Sequence, residues 1–170
     1  MQKYLLVLFF CVVSPFISFA QFSDQASDDI KRLMQFAIFG FDEYQLKEIS
    51  RTDTDLEFSS NLEIDGTKNN KIYLDAGYYE PSEFWYCTYI MDLIDEVKME
   101  NSDLILDKYK NSIAEIGENK YIVEAYVNKD TKQEGFNFLD EKTKILITLY
   151  KQKNKGETYN LKMSIYYDNY

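Results

Sequence analysis

Apolar positions recur at helical spacing near the start of the chain. Ala26, Ile30, Leu33, Met34, Ala37 and Phe41 form one stripe over Ser23 to Gly40. Ser27 is placed to cap this helix, Asp28 and Asp29 suit the positive end of its dipole, and Gly40 is the expected stop. Phe36 and Phe39 lie off the stripe, so the last turns are expected to be covered on more than one side.

The pattern then shortens to a period of two. Tyr44 to Arg51, Leu56 to Ile64 and Lys71 to Gly77 read as strands, separated by the polar Thr52 to Asp55 and by a turn at Asp65-Gly66. In the third of these, Ile72, Leu74 and Ala76 alternate with Lys71, Tyr73 and Asp75. Later, Tyr121 to Asn128 and Lys144 to Lys151 are strands, and Asn154-Lys155-Gly156 turns a hairpin into the last one. That strand has Tyr159, Leu161, Met163, Ile165 and Tyr167 on one face and Asn160, Lys162, Ser164, Tyr166 and Asp168 on the other, the alternation of an antiparallel sheet with one wet face. Ser102 to Glu118 fits a helix through Leu106, Tyr109, Ile113 and Ile116, while Gly117-Glu118-Asn119 equally suits a hairpin turn.

Between these strands lies the aromatic stretch Tyr78 to Leu93, YYEPSEFWYCTYIMDL. Glu80-Pro81-Ser82 has the residues of a helix start. On a wheel advancing roughly 100° per residue, Tyr86, Cys87, Ile90, Met91, Leu93, Ile94 and Val97 fill a broad apolar arc. Trp85 and Tyr89 fall outside it, among Asp92 and Glu96. An aromatic pair ringed by acids suits a sugar ring, a cation or an arginine side chain, and Tyr78 and Tyr79 would extend it. The candidate ligand site is therefore Trp85, Tyr89, Asp92, Glu96, Tyr78 and Tyr79. Two readings compete: another element covers the pair, or Phe84 to Met91 is a buried strand, which its aromatic content also suits.

Together these elements predict an α+β fold, an antiparallel sheet with two helices packed on one face, or three if Ser102 to Glu118 is also helical. No repeat, low-complexity tract or linker interrupts the pattern.

Residues 1–20 stand apart. Lys3, the apolar run Leu5 to Phe19 and Ser18-Phe19-Ala20 read as a secretory signal peptide cleaved after Ala20. Removing 20 of the 170 residues leaves 150, Gln21 to Tyr170, the size of a single globular α+β domain. No second apolar run reaches membrane-spanning length, so no span is predicted in the mature chain. Cys87 is then its only cysteine and no internal disulfide is available. With no Asn-x-Ser/Thr sequon either, the composition leans toward a bacterial envelope, and the expected location is secreted or periplasmic.

Loss of Lys3 takes the formal charge from −10 to −11, a field that repels phosphate backbones and argues against nucleic acid. Against that field, Lys142, Lys144, Lys151, Lys153, Lys155 and Lys162 crowd the C-terminal hairpin, where lysines guard a sheet edge against aggregation. The chain contains no histidine, which removes His-based nucleophile systems and His-ligated metals. Asp53, Asp55 and Glu57 alternate like part of a calcium loop but lack its turn glycine and distal glutamate. No metal, cofactor or catalytic residue is predicted. The chain is expected to be an exported, non-catalytic binding module for a protein partner or small ligand. An acidic inhibitor or immunity-type protein is the form its charge permits. The alternatives are small-ligand or glycan binding at the aromatic patch, or a hydrolase using carboxylates alone, such as Asp92 and Glu96.

Overall fold

The computed structural model describes residues 22–52, 55–75 and 86–167. It holds two helices, α1 (Asp24–Ala37) and α2 (Met99–Ile116), and eight strands. These are β1 (Gln45–Arg51), β2 (Asp55–Ser60), β3 (Lys68–Asp75), β4 (Tyr86–Lys98), β5 (Ile122–Asn128), β6 (Gln133–Asp140), β7 (Ile145–Lys153) and β8 (Thr158–Tyr167). The strands form one antiparallel sheet in the order β1-β2-β3-β4-β8-β7-β6-β5. Each helix thus precedes a four-stranded meander, and the two meanders join where β4 pairs with β8. The architecture is α+β, dominated by the sheet.

The stripe of α1 is buried as its spacing requires: Ala26, Ile30, Leu33, Ala37 and Phe41 are all inside. The cap is Ser23 rather than Ser27. The Ser23 hydroxyl accepts the Ala26 N–H at 3.1 Å, and the Ser27 N–H makes the first helical bond, to the Ser23 carbonyl. Gly40, at φ 70°, reverses the chain after the helix, a conformation glycine adopts without strain. The ambiguous segment is a helix, α2, which buries Leu106, Tyr109, Ile113 and Ile116. Gly117-Glu118-Asn119 turns its end into β5, with Glu118 and Asn119 in the left-handed region.

The helix expected from Ser82 to Val97 is not formed in its described part: Tyr86 to Lys98 is the strand β4. Bulges lie between Asp92 and Ile94 and between Ile94 and Val97. Tyr89, Met91, Leu93 and Val97 are buried at the even spacings of a strand, and the partly buried Ile90 and Ile94 on the other parity complete the broad apolar arc that the wheel shows. Glu96, in the second bulge, has φ 55°. Strand β6 was not anticipated, because Gln133-Glu134-Gly135 masks the alternation of Phe136 and Phe138.

The buried faces of both helices and one row of side chains from the central strands form a single hydrophobic cluster. The sheet contributes Ile72, Tyr89, Met91, Phe138, Ile147, Leu149, Leu161, Met163 and Ile165, all fully buried. Each such aliphatic or aromatic side chain contributes about 1.5–3 kcal/mol by leaving water. Among the described residues, no helix is long and apolar enough to cross a membrane.

Candidate functional site

The structure separates the predicted site residues. Tyr78, Tyr79 and Trp85 lie outside the described residues. Tyr89 is fully buried in the core row of β4, where its hydroxyl donates to the Leu62 carbonyl at 2.7 Å and its ring lies 5.6 Å from that of Phe41. Burial pushes its hydroxyl up to about 12. Tyr89 is therefore not part of an exposed aromatic pair. Strand parity puts Asp92 on the opposite face. Glu96 is exposed at the bulge, its N–H donating to Asn160 Oδ1 at 3.1 Å.

The face opposite the core row is where polar groups converge. Asp92 sits there between two partners: Asn69 Nδ2 donates to Oδ2 at 2.7 Å, and Lys162 Nζ lies 3.0 Å from Oδ1. On the same face, Lys71 Nζ lies 2.5 Å from Glu57 Oε1, and the Ser50 hydroxyl donates to Glu57 Oε2 at 3.1 Å. The Lys71 ammonium holds the Glu57 carboxyl below its ordinary range; burial opposes this, and the Ser50 and Tyr73 hydroxyls assist. The hydrogen bond to Glu57 in turn raises Lys71, with burial opposing and the charges of Tyr73 and Asp92 adding to the rise. Glu57, Lys71, Asp92 and Lys162 therefore make one alternating ladder of charge across β2, β3, β4 and β8. Its net charge is zero.

The register extends this ladder into aromatic ground. Lys162 pairs with Tyr150 on β7, Tyr150 with Gly135 on β6, and Gly135 with Tyr126 on β5. A Cβ on Gly135 would sit 2.0 Å from the Leu149 carbonyl oxygen, so only glycine fits this crossing. Tyr126 and Tyr150 meet beside the gap with ring centroids 6.1 Å apart, and Tyr126 donates to Gln133 Oε1 at 3.0 Å. Burial pushes the Tyr150 hydroxyl up to about 12, and neighbouring Tyr126, Asp92 and Tyr73 add to the shift. Next along, Thr148 donates to Asn137 Oδ1 at 2.9 Å. The result is a band of hydroxyl, amide and paired charged groups running perpendicular to the strands.

Of this band, sequence reasoning singled out Asp92 and, for other reasons, Lys162. The signal for the remainder was the second row of the alternating strands: Lys71 and Tyr73 on β3, and Lys162, Ser164 and Tyr166 on β8. Among the described residues, no group of three or more acidic or cysteine side chains is arranged to hold a metal ion. Compared with known proteins, the chain matches no protein-family model, no curated protein and no solved structure.

Proposed function

We propose that this protein is an exported, non-catalytic binding module that recognises a neutral, hydroxyl-rich ligand of the glycan class. Both helices lie on the core side, and the band from Tyr126 to Glu57 forms the recognition surface. The observation that carries this reading is the band itself. Tyrosines and amides line it, and its four charges are paired so that it offers directional hydrogen bonds without a net field. A sugar supplies hydroxyls for such groups and a C–H face for the half-buried Tyr126 ring, whereas Tyr150 beneath it is buried.

Calorimetric titration with neutral, acidic and amino-sugar oligosaccharides tests the reading. Binding to the neutral class is expected, lost in Tyr126→Ala and weakened in the charge-free pair Asp92→Asn with Lys162→Met. Absence of binding to all three classes, or hydrolysis of any of them, would contradict it.

A second reading keeps the protein partner. A cleft of about 350 Å³ between the helices is lined by Phe22, Asp24, Ser27, Lys31, Ser112, Glu115 and Ile116. Asp24 and Glu115 suit a basic side chain, as an acidic inhibitor requires. Such association weakens with salt; affinity independent of salt would remove this version.

A further inference from the structure

The sheet ends on two unlike edges. β1 carries two register shifts against β2 and the charged side chains Lys47, Glu48 and Arg51, devices that discourage strand addition. β5 carries a single charged side chain, Glu124, and no register shift. It pairs with β6 over seven consecutive residues. Both edges expose apolar side chains, Leu46 at 60% and Ile49 at 51% on β1, and Val127 at 64%, Val123 at 41% and Ile122 at 40% on β5. A long, regular, apolar edge is a template for another strand.

The sequence of that edge, Ile122-Val-Glu-Ala-Tyr-Val-Asn128, identifies the strand that fits: its own. We propose that two copies of this chain associate through β5, antiparallel, about a two-fold axis passing beside Ala125. In that register Val123 of each copy faces Val127 of the other, and Ala125 faces Ala125. All of these side chains lie on the same face as Phe136 and Phe138, to which Ala125 and Val123 are already paired. On the other face the one charged residue of the strand, Glu124, faces Tyr126 of the mate rather than another acid. Past the strand ends the same register carries Lys120 toward Asp130. Shifting the axis to Glu124 would set two carboxylates face to face, which a chain of net charge −10 tolerates poorly. The interface is isologous, as closed two-fold association requires. It doubles the eight-stranded sheet and brings the two Tyr126 ends of the polar bands together. The inference rests on the edge alone and stands whether or not the band binds glycans.

Sedimentation equilibrium on the purified protein, with Cys11 and Cys87 changed to serine, should give twice the monomer mass. Val127→Lys puts a charge opposite Val123 and is expected to weaken association at least about ten-fold. Residue 127 is mostly exposed in the monomer, so its circular dichroism should not change. A cysteine at position 125 tests the register without relying on that variant. Directly opposed Cβ atoms lie about 4.5–5.5 Å apart, close to disulfide range. Ala125→Cys should therefore cross-link rapidly under mild oxidation, whereas Val127→Cys, which faces Val123, should not. A monomer at every concentration, or cross-linking no faster at 125 than at 127, would overturn the proposal.

Discussion

At the scale of single residues, Lys151 departs most from its sequence context. It belongs to the lysine-rich hairpin, yet it is buried on the core row of β7. Its ammonium meets Asp103 on α2 and Glu134 on β6, the latter at 3.0 Å, and lies 5.0 Å from the Tyr159 ring centroid. Lys153 and Lys155, by contrast, are exposed. Both acids that Lys151 pairs with remain largely in water, so losing its charge strands neither. Lys151→Met is thus expected to change stability in urea by less than about 1 kcal/mol. Lys151→Ala, which also removes the packed stem, should cost about 2 kcal/mol. Equal losses in the two variants would show that the charge, not the stem, is what α2 holds to. Gly135 is the other sensitive position. Gly135→Ala forces a methyl group against the Leu149 carbonyl and should cost about 1–3 kcal/mol by the same measurement.

Elements were legible in the sequence wherever one period held throughout. The stripe of α1 and the alternation of β8 each have a single phase, and both were read correctly as to type and buried face. β4 reads as a helix because Ile90 and Ile94 add apolar positions to the buried row of Tyr89, Met91, Leu93 and Val97. Its central position, with apolar residues on both faces, removed the alternation that marks a half-buried strand. The same error misplaced the candidate site: on a helix Tyr89 and Asp92 are neighbours, whereas on a strand they face opposite ways. The polar band could not be read from one segment, since it takes one or two residues from each of several strands and exists only once register is fixed. The bulge also predicts a substitution. Glu96 holds a left-handed conformation that favours glycine, while its N–H still serves Asn160. Glu96→Gly should therefore leave the melting temperature unchanged or raise it, consistent with a stabilisation of up to about 1 kcal/mol. A clear fall would mean that the Glu96 side chain itself supports the bulge.

For the whole molecule, both helices and the inner strands share one core, and tyrosine hydroxyls are buried on both sides of the sheet. Burial pushes Tyr89, Tyr109, Tyr121 and Tyr150 each up to about 12. In the unfolded chain these groups ionise near their ordinary value of about 10. The folded state therefore holds its protons more tightly, and this contribution is fully present below about pH 10 and lost as pH rises toward 12. Absorbance of tyrosinate should show these four hydroxyls ionising only as the protein unfolds. A single smooth titration of all the tyrosines in the folded protein would contradict this picture. At the acid end the sign reverses. Glu57 is held low by Lys71, so its contribution is present above the ordinary glutamate range and lost as pH falls through its folded value.

The central claim is that the face opposite the core, from Tyr73 across Asp92 and Lys162 to Tyr150 and Tyr126, is where this protein meets its ligand. Amide nuclear magnetic resonance of the isotope-labelled protein, titrated with neutral oligosaccharides, tests it most directly. The account predicts shifts concentrated on β3, β4, β8, β7 and β5 around those residues, with the helices unmoved. Shifts confined to the cleft at Asp24 and Glu115, or none anywhere, would contradict it.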